Sequence, residues 1–302
     1  MKRKVVKHGP STLTISLPSK WCRENAVIEG DELEICENNT SIIIKSELKP
    51  DQEKISIDVS GYDLMIGRIL AAYYRKGIDN FEIRYSNSAE LDEILKIIHK
   101  LFIGLEIVEQ RDDKIILKRL AALDSEEFNN MYRKIFLLIK DISSESYDAM
   151  LKHNFLRLSS LILLDRNINR FSDFCIRLIC KEGIKLKYNG TYHHLLADKL
   201  EEIGDKYRDI NKLVFENKLK IQKDIVQIFK ETNDFFDYFY EMFYNFQLQK
   251  IRDFGKKKAI LSKKIESELN KNSDLSREFL LELKSIVKLI FDMYDALIII
   301  NS

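Results

Sequence analysis

The chain has 302 residues, 45% of them apolar and 32% charged, with a formal net charge of +1. That balance excludes a disordered chain, and the length predicts two or three domains with cores of their own. No apolar run reaches the roughly 18 to 20 residues that a helical membrane span needs, and "MKRKVVKHG" leads into no signal-peptide core. The four cysteines, Cys22, Cys36, Cys175 and Cys180, form no C-x-x-C pair, so a reduced, cytoplasmic protein is expected.

Charge is unevenly placed at the start. Residues 1 to 23 carry Lys2, Arg3, Lys4, Lys7, Lys20 and Arg23 and no acid, whereas residues 24 to 37 carry Glu24, Glu29, Asp31, Glu32, Glu34 and Glu37 and no base. In "STLTISLP" Leu13, Ile15 and Leu17 alternate with Thr12, Thr14 and Ser16, the pattern of a half-buried strand. Pro18 ends it, and Ser19 is placed to cap a short helix from Lys20. "EGDELEI" turns into a strand with Leu33 and Ile35 inward, and "SIIIK" completes a hairpin across "NNT". About 47 residues in short strands cannot bury a core alone, so this piece is expected to dimerise.

The basic first strand, the turn at Gly9 to Ser11, the "SLPSKW" corner and the Gly30–Asp31 turn together resemble the swapped-hairpin DNA-binding domain of the AbrB/SpoVT/MazE families, in the variant found in archaeal regulators. The resemblance covers residues 1 to about 47. It implies two chains interlocked into one barrel with a basic face toward double-stranded DNA, and it carries that role to Lys2, Arg3, Lys4, Lys7, Lys20 and Arg23. "ENAVIEGD" departs from the Gly-Leu pair that often precedes the Gly-Asp turn. A barrel that only dimerises, its cations merely solvating the surface, is the alternative.

Residues 48 to 123 read as a small α/β domain in the order β-α-β-α-β-β. The strand "KISIDVS" is followed by the helix "DLMIGRILAAYYRKG" closed by Gly77, the strand "NFEIRYS", a helix from a Ser88 cap to Gly104, and a hairpin turning at Asp112–Asp113. It holds no Gly-rich phosphate loop, metal-ligand spacing or nucleophile–base pair, and His99 reads as packed at the helix side.

From residue 124 to 302 the periodicity is helical throughout, in segments near 125–151, 153–181, 190–217, 219–250, 256–271 and 275–299. Two sets of three predict a duplicated three-helix bundle, so the chain as a whole is a multidomain α+β protein. In "LADKLEEIGDKYRDINK" Leu196, Leu200, Ile203, Tyr207 and Ile210 form the buried stripe, with Glu201, Asp205 and Asp209 on the opposite face. "LEEIGDKYRDI" resembles the "LERIGD" helix of PhoU proteins, regulators of phosphate uptake built from two three-helix repeats whose E-x-x-x-D motifs hold iron, zinc or similar cations. The resemblance implies a site for iron, zinc or manganese at Glu201 and Asp205, with Asp209 following and "LLDRNINRF" supplying Asp165 and, in place of an acid, Asn169. The second repeat keeps Asp292 but has Lys288 at the acidic position, and is expected to hold no metal. Acids at i, i+4 spacing are also common on solvated faces, where pairs such as Glu202–Lys206 and Asp205–Arg208 are worth a few tenths of a kcal/mol.

Other clusters are weaker. His193 and His194 point about 100° apart on one helix and cannot chelate together. Cys175 and Cys180 read as small core residues. The aromatic run "NDFFDYFYEMFYNF" lacks interleaved cations and carries Asp234, Asp237 and Glu241, so it reads as packing rather than a nucleic-acid platform. No segment offers a nucleophile with a base, so no enzyme is expected. The expected function is a dimeric DNA-binding regulator of phosphate uptake with a sensing or partner-binding tail. The alternative is a signalling adaptor that binds no DNA and docks on a phosphate transporter or sensor kinase.

Overall fold

The structure, a computed structural model, describes residues 1–38, 41–46, 54–120, 125–182, 190–272 and 274–301. It divides into two compact units, Met1–Lys54 and Ile55–Ser302. The head boundary expected near residue 47 falls beside residues 47–53, which lie outside the described residues.

In the first unit β1 (Val6–His8) pairs antiparallel with β2 (Thr12–Thr14), Val6 facing Thr14, across a turn in which Gly9 takes a φ of 77°. Helix α1 (Ser19–Glu24) starts one residue earlier than the sequence pattern implies. Pro18 holds the N-cap place without a side-chain bond, so Ser19 is the first helical residue and not the cap. Asp31 closes the following turn by accepting from the Ile28 amide at 2.7 Å. β3 (Leu33–Asn38) and β4 (Ser41–Ser46) form a second antiparallel pair with Ile35 opposite Ile44. The two pairs are separate two-stranded sheets, and among the described residues of the single chain they do not close a barrel. No described residue of this unit is a buried apolar one, and Val6, Leu13, Ile15, Ile35 and Ile42 stand more than half exposed. Ile35, expected inward, is 61% exposed.

The second unit begins with a four-stranded sheet in the order β5-β6-β8-β7, formed by β5 (Lys54–Asp58), β6 (Asn80–Arg84), β7 (Leu105–Gln110) and β8 (Lys114–Arg119). Helix α2 (Ile66–Lys76) buries Ile66, Leu70 and Tyr74, spaced by four, and ends at Gly77, whose φ of 98° is the left-handed cap that glycine adopts without strain. Helix α3 (Ser88–Leu101) is capped by Asn87, not Ser88: the Asn87 side chain accepts from the Glu90 amide at 3.0 Å. The buried Glu90 carboxylate in turn accepts from the Ser86 and Gly61 amides, each at 2.7 Å, tying two loops to the helix start. Val59, Phe81, Ile83, Ile94, Ile115 and Leu117 fill this layer, with Tyr74 stacked on Phe102 at 4.5 Å.

The helical part runs α4 (Ser125–Leu151), α5 (Phe155–Ile162), α6 (Asp165–Glu182), α7 (Gly190–Asn217), α8 (Lys223–Tyr244), α9 (Lys250–Leu269), α10 (Asp274–Asp292) and α11 (Tyr294–Asn301). Two of the six expected segments are broken. The one near 153–181 divides at Leu163–Leu164, where the Leu163, Leu164 and Asn167 amides bond three residues back and tighten the turn. The one near 275–299 divides at Met293. All eight helices contribute to one continuous apolar core, so the two sets of three are not separate bundles. Phe235, Phe236 and Phe239 of the aromatic run are buried in it, Phe235 stacking on Phe254 at 4.7 Å. Cys175 is fully buried, but Cys180 is exposed and is not the core residue its neighbours suggested.

The sheet layer and the helices have separate apolar cores within this unit, joined by charge. Arg177 of α6 is 1% exposed, donates to the Tyr74 carbonyl at 2.8 Å and to Asp79 at 2.5 Å, and lies 4.8 Å from the Tyr74 ring centre. Asp79 also pairs with Lys181 and, at 3.2 Å, with Arg119. Gly77 is fitted here as well: a side chain at that position would meet Lys181 Cβ at 3.2 Å. A buried guanidinium persists only when paired in this way.

Candidate functional site

The conspicuous cluster of charge lies at the seam of α6 and α7. On α6, Asp165, Asn169 and Asp173 recur at every fourth residue. Opposite them α7 carries Glu201, Asp205 and Asp209, half-buried beside α6 and not on a solvated face turned away from the core. The helices come this close because residue 204 is glycine. A Cβ there would sit 2.9 Å from Ile168 Cδ1, 3.1 Å from Ile168 Cγ2 and 3.4 Å from Asp165 Oδ1.

Arg208 stands in the middle. Its Nη1 donates to Asp165 Oδ2 at 3.0 Å and to Asp205 Oδ1, and its Nε and Nη2 donate to Asp209 Oδ1 at 3.0 and 2.9 Å. Asp165 is 5% exposed, and its other oxygen, like the Oδ1 of Asn169, has no hydrogen-bond partner. The buried Asp173 is held by Arg75 of α2 through Nε at 2.5 Å. Glu201 lies within electrostatic reach of Asp205, Arg75, Asp173 and Asp165.

Burial sets the protonation of these acids. It pushes Glu201 up to about 7, with Asp205 adding to the shift and Arg75 opposing it. Burial, then the Asp205 charge, raises Asp165 against the pull of Arg208. Asp205 and Asp173 are raised by burial too, opposed by Arg208 and Arg75 respectively. Burial works against the charge of Arg208, but Asp209, Asp165 and Asp205 outweigh it and raise its pKa.

The structure thus brings Asp165, Asp205 and Asp209 onto one guanidinium, places Asn169 one turn along α6, and leaves Glu201 one turn before Asp205. Among the described residues no three His, Cys, Asp or Glu side chains converge as a metal-ligand set. Two contributors escaped the sequence reading, and so did the central place of a third. Asp173 continues the four-residue spacing of Asp165 and Asn169 and could have been found from it. Arg208 was visible only as a partner of Asp205, and Arg75, distant in the chain, left no signal. The surface pair expected between Glu202 and Lys206 is replaced by Lys199–Glu202 at 2.8 Å and Lys206–Glu282 at 3.0 Å. Lys288 and Asp292, where a second repeat was expected, line a groove of about 540 Å³ together with Lys258 and Lys284.

In the first unit, Lys2, Arg3 and Lys4 precede β1, Lys7 lies on it, and Lys20 and Arg23 lie on α1 one turn apart. All six are exposed. Lys20 approaches Glu24 at 3.7 Å, both side chains remaining well solvated. In the sheet layer the clustered charges are Asp79 and Arg119, which meet Arg177 and Lys181 of α6. His193, half-buried, sets its ring edge-on to Phe128 and Tyr132, and burial lowers its pKa.

No family model matches the chain, and no curated protein matches it. Among solved structures it is similar to the crystal structure of the phosphate transport system regulatory protein PhoU from Streptococcus pneumoniae. The identity is 17%, the TM-score 0.46, and the match spans 59% of this chain and 94% of that one. Among the described residues no helix is long and apolar enough to cross a membrane.

Proposed function

We propose that the chain is a non-enzymatic, dimeric regulator of phosphate uptake, with a head that contacts double-stranded DNA and a helical tail that senses a signal or binds a partner. The observation that carries the proposal is the state of residues 1–46. They present six exposed cations and a set of apolar strand residues left without a core. Isolated two-stranded sheets of this size are marginal in water, and a second copy supplies the missing apolar face. Two heads then offer twelve cations, enough to neutralise several phosphates. The link to phosphate uptake rests on the "LEEIGDKYRDI" helix, where the acids Glu201 and Asp205 and the close-packed Gly204 fall on the motif residues. A phosphate transporter or sensor kinase is the partner such a tail would meet. The test is recovery of genomic DNA on the intact protein at physiological salt. Enrichment upstream of phosphate-uptake genes is expected; retention no greater than that of a control protein would leave the adaptor as the function.

A further inference from the structure

The acids at the α6–α7 seam face cations that the chain itself supplies. Asp165 and Asp173, the two most buried, each accept from an arginine, Arg208 and Arg75 respectively. The geometry points to Arg208, seconded by Arg75, as the resident counter-cation of this cluster, standing where a metal ion would otherwise sit.

Three features carry the assignment. A divalent cation held by oxygen ligands needs several of them converging within about 2.0–2.6 Å. Here the facing oxygens, Asp165 Oδ2 and Asp205 Oδ1, are both directed at Nη1 of one guanidinium, so an ion bridging them and Arg208 would compete for the same lone pairs. A guanidinium is permanently charged and presents a rigid planar set of donors, which lets Arg208 serve three carboxylates at once. Asn169 is neutral and brings no charge to a metal, and Asp173, the other acid of this α6 face, is taken by Arg75, so α6 presents Asp165 as its one carboxylate to Arg208. The residues as placed therefore do not fit the iron, zinc or manganese implied by the sequence resemblance. They fit an internal ion-pair network that needs no metal. Arg75 belongs to the sheet layer, so the same network ties that layer to the bundle. The inference is independent of whether the head binds DNA.

The experiment uses the full chain, by elemental analysis and thermal melting with and without chelator. The wild type is expected to carry no stoichiometric iron, zinc or manganese and to melt unchanged in chelator. Arg208→Ala is expected to melt roughly 5 °C lower, and Mn²⁺ is expected to raise its melting temperature while leaving the wild type in place. About one metal per wild-type chain, with a fall in melting temperature on its removal, would overturn the inference, as would an Arg208→Ala variant that loses no stability. Should Arg208→Ala not fold, the combination Asp165→Asn, Asp205→Asn and Arg208→Met, which removes two anions together with the cation between them, separates the cases. It is expected to fold, because a counter-cation is dispensable once its two more buried anions are gone and the more exposed Asp209 is left to solvent, and its failure to fold would count against the assignment.

Discussion

Glu201 shows how little of a residue's chemistry is set by its identity. Packed between α7 and α6 beside Asp205, it has its pKa raised from 4.5 to about 7. The folded state therefore binds its proton more tightly than the unfolded state does. Below about pH 4.5 both states are protonated and the group costs nothing; as pH rises through 7 the folded chain must bury a charge and loses stability. Glu201→Gln should accordingly raise the melting temperature relative to wild type by more at pH 8 than at pH 4.5. Equal differences at the two pH values would show that the carboxyl is solvated. At the head the expected signature is in salt. Each phosphate neutralised contributes roughly 0.9 to the slope of log affinity against log salt, so Lys20→Ala or Arg23→Ala should flatten that slope by about one per contact, or two if both copies engage. Lys256→Ala, in the tail, should leave it unchanged. A head variant with wild-type affinity and slope would remove that residue from the proposed DNA face.

At the scale of elements, close approach and capping decide more than propensity does. Gly204 lies inside α7, where alanine would be favoured by about 1 kcal/mol. A Cβ would press on Ile168, itself fully buried, and overpacking of that kind costs typically 1–3 kcal/mol. Gly204→Ala should come out near neutral, whereas Gly204→Val, which crowds more and gains less helix propensity, should lower stability by 1 kcal/mol or more by urea titration. A stable Gly204→Val protein would mean that α6 and α7 can separate at little cost. At α3 the Asn87 side chain satisfies the Glu90 amide, so Asn87→Ala should cost about 1 kcal/mol while Ser88→Ala costs little. The reverse order would restore Ser88 as the cap.

For the whole molecule the open question is assembly. The head leaves Val6, Leu13, Ile15, Ile35 and Ile42 exposed, too much apolar strand for a stable isolated module. Light scattering on the intact protein should give a dimer at micromolar concentration, and Ile35→Lys together with Ile42→Lys should give a monomer whose helical unit melts as before. A dimer that survives both substitutions would have to be held elsewhere, since neither side chain contributes to the core of the second unit.

Local patterns were readable along the chain wherever the physics is local. The four-residue apolar spacing in α2, α4, α7 and α8, the alternation in β5 and the left-handed cap at Gly77 each follow from a period or a steric rule confined to a few neighbours. Asp165 of α6 and Glu201, Asp205 and Asp209 of α7 were legible as a spaced set for the same reason. The tertiary structure alone decided which charge answers Asp165 and Asp173. Arg208 lies 43 residues from Asp165 and Arg75 lies 98 from Asp173, and a sequence period carries no information about pairing across such distances. The break at Leu163–Leu164, the single core shared by eight helices and the exposure of Cys180 were likewise settled by how whole helices pack, because burial is a property of two surfaces and a sequence displays only one at a time.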